Sequence, residues 1–267
     1  MYLSLRWRFL PFPLIICYHA VSSTWPSTLA IAEDAVERHV SLLRDRGYQG
    51  LTFAEAERRR REGTLRERTL VITFDDGFAS TLAAKPILDA ANFPATVYVP
   101  TGFLADGDLL SYAEPDGKGA YADELRPLSW QELALLSDAG WEIGSHTVTH
   151  PKLPELNDAD LLRELEESRE TIRERLGRCE TVAYPYGLAD ARVSEAARRA
   201  GYLAGCTLTA SHRIDEQFRR PRVGLYPADT GLRLRAKVSP TLGALRRTWL
   251  ADLADGTRWR FSGSRTS

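Results

Sequence analysis

Short apolar segments alternate with longer segments of helical periodicity along most of the chain. This alternation is typical of β/α units, in which helices cover a largely parallel sheet. A chain of 267 residues is long enough for one such domain, and α/β barrels commonly have this length. The pattern therefore predicts an α/β fold, either barrel-like or open, with strands at Leu14–Tyr18, Thr69–Phe74, Ala95–Val99, Trp141–Gly144, Thr181–Tyr184 and Leu203–Thr207.

The segments between the strands carry signals that start and stop helices. Ser129 is followed three residues later by Glu132, which is the pattern of a capping box at a helix N-terminus. Glycines stand just after most of the helical segments, where a helix commonly ends. The predicted helices are Ala32–Arg46, Thr81–Ala91, Ser129–Ala139, Asp158–Leu176 and Ala191–Ala200.

The charges of the chain are nearly balanced, with 35 Lys and Arg against 36 Asp and Glu. Because no global field results, we do not expect nucleic acid as a partner. The three cysteines, Cys17, Cys179 and Cys206, are far apart, odd in number and without Cys-x-x-Cys spacing. We therefore expect three free, buried thiols, which favours a reducing compartment such as the cytoplasm.

The N-terminus allows two interpretations. Arg6 and Arg8 precede an apolar run from Phe9 to Cys17, which resembles a signal peptide and leaves export open. Two prolines interrupt the run, however, and it is too short to span a bilayer. We favour a retained buried strand, Leu14–Tyr18, over a cleaved signal, and we predict no transmembrane segment.

The helical and strand patterns weaken after Arg222. A group of apolar residues in this region could form a short amphipathic helix: Leu242, Leu245, Trp249 and Leu250. Such a helix is most often a packing element and sometimes contacts a membrane or a partner. We predict one domain at residues 1–230 and a helical extension at 231–267 that packs on it or trails from it. Peripheral membrane contact and oligomeric state are left open.

Two adjacent aspartates, Asp75 and Asp76, follow an apolar strand and precede Gly77. Gly77 would permit a turn that directs both carboxylates into one cavity. Two close carboxylates repel, so that one of them needs a cation or a proton. A metal on one carboxylate and proton transfer by the other would satisfy both, although an Asp-Asp-Gly sequence alone is more often a solvated loop.

His146 and His150 also follow a predicted strand. Histidines four residues apart share one face of a helical turn, so both imidazoles could reach one ion. Imidazole nitrogens suit zinc and neighbouring metals, and a carboxylate readily joins them. Together with Asp76 they would form an Asp-His-His set with open positions for water and substrate. Taken alone, such a histidine pair is as often structural.

Two further segments follow predicted strands. Pro185 and Gly187 predict a tight turn around Tyr186, which could direct a backbone N–H at a substrate oxygen. His19 follows the first strand. Because active sites of β/α barrels lie at the C-terminal ends of the strands, we expect these segments to meet the Asp and His motifs there. Two other histidines are assigned to packing or to a surface loop: His39 and His212.

The order of the three motifs resembles that of a known family. Thr-Phe-Asp-Asp-Gly, then Ser-His-x-x-x-His, then a Pro-Tyr-Gly turn is the order in the polysaccharide deacetylases, carbohydrate esterase family 4, which have the NodB-homology fold. The similarity extends from about Leu14 to Arg222 and is closest from Thr69 to Phe103. It implies an irregular (β/α)7-type barrel with fewer strands than the full eight.

The resemblance also implies a role for each motif residue. By similarity, Asp75 is the general base, and Asp76, His146 and His150 bind a divalent metal. The backbone N–H of Tyr186 would stabilise the oxyanion. Zinc is the first choice of metal, and cobalt, nickel or iron would also suit such a site.

Two departures from the family pattern affect these roles. Many members carry an Arg, at the position of Ala183 here, that orients the catalytic Asp. Many also carry a catalytic His in a Leu-x-His motif near the end of the domain, where this chain reads Leu208-Thr209-Ala210. A circularly permuted subgroup instead opens with a strand that ends in Tyr-His. The resemblance to that subgroup makes His19 the general acid, across the pocket from Asp75; a structural His19 is the alternative.

The resemblance implies a hydrolase that removes an N-acetyl group from an amino sugar by cleaving a linear amide C–N bond. An O-acetyl esterase or a non-sugar amidohydrolase would use the same motifs. A catalytically inactive sugar-binding protein is the third alternative, suggested by the missing Arg. The expected partner is an N-acetylated carbohydrate in a glycan, glycolipid or glycoside, and a small or lipid-linked glycan is favoured.

Overall fold

Parallel strands form the centre of the protein. The computed structural model describes residues 12–106, 119–208 and 217–239. The strands within these ranges are β1 Leu14–Tyr18, β2 Ala20–Val21, β3 Ala30–Ile31, β4 Gln49–Leu51, β5 Thr69–Phe74, β6 Ala95–Val99, β7 Glu142–Ser145, β8 Thr181–Ala183, β9 Ala204–Thr207, β10 Arg220–Pro221 and β11 Val223–Gly224.

The main sheet has the strand order β10-β9-β8-β7-β6-β5-β1-β11, with β4 also paired to β5, and all of these pairs are parallel. The two end strands of this order, β10 and β11, are separated in sequence by Arg222 alone. One short segment therefore pairs with β9 and then with β1. The sheet consequently curls into a nearly closed barrel, which confirms the irregular α/β barrel expected from the sequence.

The described helices connect successive strands, except for the last one, which follows β11. They are α1 Glu33–Asp45, α2 Phe53–Glu62, α3 Lys85–Ala90, α4 Thr101–Asp106, α5 Ala122–Leu125, α6 Trp130–Asp138, α7 Asp158–Leu176, α8 Ala191–Arg199 and α9 Gly231–Lys237. The capping box of Ser129 and Glu132 is present at the start of α6. Helix α7 has the predicted bounds; Asn157 caps its N-terminus and the left-handed Gly177 ends it.

The predicted helix Thr81–Ala91 is wrong in its first half. A 3-10 helix covers Ala79–Ala84, and α3 begins only at Lys85. Pro86 explains the break, because proline has no N–H to donate to the preceding turn, whereas it fits the first turn of a new helix. The three-residue strand β4 and the two-residue strands were not predicted, since they are too short to show a period.

The first strand and the cysteines agree with the sequence analysis. Strand β1 lies between β5 and β11, and its last four residues are buried. Cys17, Cys179 and Cys206 are free and buried. None of the described helices is both long enough and apolar enough to cross a bilayer.

The residues after position 230 begin by packing on the barrel. In and just after α9, Leu234 and Val238 are buried in the main core, and the Tyr48 hydroxyl donates a hydrogen bond to the Val238 carbonyl at 3.2 Å. The predicted amphipathic helix around Leu242 and Leu250 and the loop residue His212 lie outside the described residues. The domain boundary at 230 stays a prediction.

Candidate active site

The predicted aspartate and histidines meet at the C-terminal ends of the strands. Asp76 follows β5, and His146 and His150 follow β7. Asp76 Oδ1 lies 3.4 Å from His146 Nε2 and 3.4 Å from His150 Nε2. All three side chains are buried. Three potential ligand atoms on two segments of the chain thus converge on one point.

Backbone strain is concentrated in these motifs. Among the described residues, five non-glycine residues have positive φ, and four of them belong to the site: Asp76 at 70°, Thr147 at 71°, His150 at 58° and Tyr186 at 58°. The left-handed region costs a non-glycine residue of the order of 1–3 kcal/mol. Such conformations persist only where surrounding contacts hold them, and their clustering here makes these motifs a candidate functional site.

The turn after β5 begins one residue earlier than predicted. We expected Gly77 to turn the chain, but Asp76 already has the left-handed conformation. Gly77 follows with φ of 64°, and a Cβ there would lie 2.8 Å from Cγ1 of Val99. Two successive left-handed residues direct the Asp76 carboxylate towards the histidines, and the second position has room only for glycine.

The expected helical turn between His146 and His150 is wrong. The segment is an irregular loop, because Thr147 and His150 have left-handed φ. Buried Glu164 on α7 holds the loop: its carboxylate accepts hydrogen bonds from the N–H of Val148 and Thr149 at 2.8 and 2.9 Å. Both imidazoles nevertheless reach Asp76, by a different backbone path from the one predicted.

A backbone carbonyl fixes the orientation of the His146 ring. His146 Nδ1–H donates a hydrogen bond of 2.7 Å to the carbonyl of Ala183 at the end of β8. Nδ1 therefore carries a proton, and Nε2 is the ring nitrogen that faces Asp76. Metal-binding histidines are typically oriented in this way.

The spacing of the three atoms fits a metal ion. In a tetrahedral site with bonds of about 2.1 Å to nitrogen and oxygen, neighbouring ligand atoms are about 3.4 Å apart. Both distances from Asp76 Oδ1 equal this value. Burial tends to raise the pKa of Asp76, but its contacts with His146 and His150 and the charge of His19 keep that pKa well below its usual value. The set thus offers an ionised carboxylate and two imidazoles.

Asp75 is held by an arginine that the sequence analysis did not identify. Arg222 Nη1 donates to Asp75 Oδ1 at 2.6 Å, and Nη2 donates to Oδ2 at 2.7 Å. Both side chains are buried. Burial tends to raise the pKa of Asp75, but the charges of Arg222 and His146 lower it to about 2. Asp75 is therefore ionised and fixed in orientation, although Ala183 occupies the position of the family Arg.

The other contacts of Arg222 explain how its charge is tolerated in the interior. Its Nη1 also donates to Thr73 Oγ1 at 3.0 Å, and its Nε donates to the Thr207 carbonyl at 3.3 Å. The guanidinium lies over the ring of Tyr98, 5.7 Å from the centroid. The only hint in the sequence is an arginine within Arg-Pro-Arg-Val-Gly, in a segment whose strands are too short to predict.

His19 lies beside Asp75. A ring nitrogen of His19, a carboxylate oxygen of Asp75 and the Sγ of Cys17 are all within 4.8 Å of one another. The expectation that the imidazole faces the pocket from the side opposite Asp75 is therefore wrong, because β1 pairs directly with β5 and brings the two strand ends together. His19 is half-buried, whereas His39 is buried and bonded to Tyr18 and Asp229.

Tyr186 lies in the predicted turn after β8. Its ring contacts His150 edge to face, with the centroids 4.8 Å apart, and 52% of the residue is exposed. Gly187 follows with φ of 69°, and a Cβ there would lie 2.4 Å from the Leu208 nitrogen. The turn is thus fixed by close backbone packing, and it places the exposed Tyr186 against the His150 ring.

Comparisons with known proteins agree with this arrangement. The polysaccharide deacetylase family profile matches residues 62–205. YxkH of Bacillus subtilis is provisionally named a polysaccharide deacetylase. It is 26% identical over 222 residues, which cover 81% of this chain and 72% of that protein. A poly-β-1,6-N-acetyl-D-glucosamine N-deacetylase of Staphylococcus aureus is 24% identical over 202 residues, 72% of this chain and 65% of that enzyme.

Solved structures share the fold. The deacetylase PplD of Streptococcus pyogenes, in complex with acetate, has a TM-score of 0.73 at 23% identity and is matched over 86% of this chain and 100% of its own. IcaB of Ammonifex degensii has a TM-score of 0.67 at 22% identity, over 88% of this chain and 97% of its own. Since the family profile covers more than half of the sequence, the chain belongs to the polysaccharide deacetylase family of carbohydrate-active hydrolases.

Proposed function

We propose that this protein is a metal-dependent N-deacetylase that removes the acetyl group from an amino sugar. One observation carries the proposal: Asp76, His146 and His150 converge at metal-ligand spacing, while the adjacent carboxylate of Asp75 is held apart from them by Arg222. Two neighbouring aspartates thus have separate environments suited to separate tasks. Ligation and proton transfer are the tasks that amide hydrolysis at a metal requires.

Asp76, His146 and His150 would hold the metal, with zinc as the first choice and cobalt, nickel or iron as alternatives. When bound, the metal would act as a Lewis acid that polarises the acetyl carbonyl and lowers the pKa of a water molecule. Three protein ligands would leave coordination positions for water and substrate.

Three groups of the chain would move or stabilise charge. Asp75 accepts the proton of the attacking water, and its bidentate contact with Arg222 keeps its carboxylate in place. The backbone N–H of Tyr186 donates to the oxyanion of the tetrahedral intermediate. His19, half-buried beside Asp75, donates a proton to the departing amine, which is a poor leaving group without it.

Arg222 also bears on the alternative of an inactive sugar-binding protein. That alternative depended on the missing family Arg at Ala183, because an unheld Asp75 would lack a fixed orientation towards the water. The guanidinium of Arg222, bound through Nη1 and Nη2, does hold Asp75, which supports an active enzyme.

We further propose a reducing compartment, a proposal supported by the three buried free thiols.

The reaction is tested by acetate release from matched amide and ester substrates. The panel contains oligomers of β-1,6-linked N-acetylglucosamine, suggested by the Staphylococcus aureus relative, short β-1,4-linked N-acetylated oligomers, an N-acetylated glycolipid, and O-acetyl esters of the same sugars. We expect metal-dependent acetate release from at least one N-acetylated sugar. Release from the esters alone would show that the protein is an esterase.

The metal ligands are tested by separate substitution of the two aspartates. Asp76→Ala, His146→Ala and His150→Ala should each lower metal affinity more than about 100-fold, since the loss of an outer-shell partner alone costs 10–100-fold. Asp75→Asn is the matched control: it should keep the metal and lose activity, because it retains the shape and removes the base. Elemental analysis measures bound metal. Metal loss in Asp75→Asn together with retention in Asp76→Ala would reverse the two roles.

The role of Arg222 is tested by comparing Arg222→Gln with Arg222→Lys. Gln removes the charge while Asp75 stays buried, so the pKa of Asp75 rises and the acidic limb of the kcat/KM profile moves to higher pH. Lys retains the charge and should shift the limb less. Circular dichroism and metal content serve as controls for folding. An unshifted acidic limb in a folded Arg222→Gln variant would leave Arg222 with a structural role only.

The role of His19 is tested with substrates of different leaving groups. His19→Ala should keep the fold and the metal and reduce turnover about 10²–10⁴-fold, the usual range for the loss of a general acid. Activated amides, whose amine departs easily, should lose less activity because they need less protonation. Full activity of the variant, or equal losses on activated and ordinary amides, would exclude His19 as the acid.

A further inference from the structure

A cavity of about 290 Å³ lies at the end of the barrel opposite the active site. Its lining consists of Arg46, Tyr48, Arg68, Arg235 and Ser239. Arg46 and Tyr48 lie between α1 and β4, and Arg68 immediately precedes β5, so the cavity opens near the N-terminal ends of these strands. Among the described residues, the lining contains three cationic side chains and no carboxylate; Arg46 is partly buried, whereas Arg68 and Arg235 are exposed, so the cavity is open to solvent.

Within the described part of the chain, the three arginines of the cavity differ from their neighbours in having no paired carboxylate. In the last turn of α1, Arg44 is paired with Asp45, and in α9, Arg233 is paired with Asp229. Within residues 12–106, 119–208 and 217–239, no carboxylate forms an ion pair with Arg46, Arg68 or Arg235. Three like charges around one cavity repel one another, and a bound anion would relieve that repulsion.

Two hydrogen bonds fix parts of the cavity lining. Arg68 Nη1 donates a hydrogen bond to the carbonyl of Arg46 and lies close over Gly47. The Tyr48 hydroxyl donates to the Val238 carbonyl, which ties the end of α9 to this part of the barrel. Burial raises the pKa of Tyr48, whereas the nearby charges of Arg46 and Arg68 oppose that rise. Both guanidinium groups thus lie close to the buried phenol.

The geometry points to a binding site for a phosphoryl group carried on a small polyol, formed by Arg46, Arg68 and Arg235. A single carboxylate is planar and is satisfied by one arginine, whereas a phosphate is tetrahedral, carries more charge and can accept from several guanidinium groups. The cavity volume exceeds that of a phosphate ion, which leaves room for a glycerol or sugar unit, and Ser239 adds a hydroxyl to the lining.

This site is separate from the active site. Arg68 and Asp75 flank the six-residue strand β5 at its two ends, roughly 23 Å apart at about 3.3 Å per residue. A ligand in the cavity would therefore leave the metal-ligand side chains untouched. The phosphoryl group could belong to a soluble glycan phosphate or to a phospholipid headgroup, and the proposal does not depend on the deacetylase reaction.

The test compares two triple variants of the full chain with equal loss of charge. Arg46→Gln/Arg68→Gln/Arg235→Gln removes the cavity cations, and Arg163→Gln/Arg173→Gln/Arg198→Gln removes three exposed arginines of α7 and α8. Calorimetry measures binding of glycerol 3-phosphate, and sedimentation measures binding to phosphatidylglycerol vesicles, with phosphatidylcholine vesicles as the neutral reference. Acetate release and circular dichroism verify that both variants fold.

We expect saturable binding by the wild-type protein, weakened at least about tenfold in the cavity variant and unchanged in the control variant. Binding of glycerol 3-phosphate identifies a soluble phosphorylated polyol as sufficient. Cavity-dependent binding to phosphatidylglycerol vesicles alone identifies a lipid headgroup. The proposal is overturned if neither probe binds saturably, or if both variants weaken binding equally, which would indicate a general charge effect.

Discussion

The buried ion pair of Arg222 and Asp75 joins the closing seam of the barrel to the central strand. Arg222 separates β10, which pairs with β9, from β11, which pairs with β1. Asp75 extends β5 and donates its N–H to the Tyr18 carbonyl on β1. Losing one partner of such a pair leaves an uncompensated buried charge, at a cost of about 3–5 kcal/mol. Closure of the barrel and orientation of the candidate base therefore depend on the same contact.

The metal-ligand side of the site depends on a different constraint. Asp76 and His150 are held in left-handed conformations that neither residue favours, and the loop between the histidines is held by the carboxylate of Glu164. Packing of the surrounding barrel, with its buried strands, offsets the free energy that these strained conformations cost. A bound cation would add to that stability, since it draws the carboxylate and both imidazoles to a common centre.

Sequence reasoning succeeded where a signal repeats and failed where a single contact decides. Strand Thr69–Phe74 and helix Asp158–Leu176 have the predicted bounds, because the strand is a short apolar run and the helix shows both a clear period and a terminal glycine. The Asp and His motifs were found because they follow such strands. Arg222 was missed because its role arises only from its contact with Asp75, 147 residues away in the sequence. Arg222 itself lies between two strands of two residues each, which are too short to predict. The turn at Asp76 was placed one residue too late, because glycine adopts positive φ more readily than aspartate does and Gly77 follows directly.

Ala183 and Arg222 together show how a site can retain a contact while a motif residue is lost. At Ala183 the backbone carbonyl orients His146, so the position serves the site without any side chain. The guanidinium that many relatives are expected to place there is supplied from the barrel seam instead, and it reaches both oxygens of Asp75. The site requires a cation at the carboxylate of Asp75, and that cation can come from any part of the sequence that the fold brings there. A missing motif arginine is thus weak evidence for lost activity wherever a parallel strand end brings another cation to the same carboxylate.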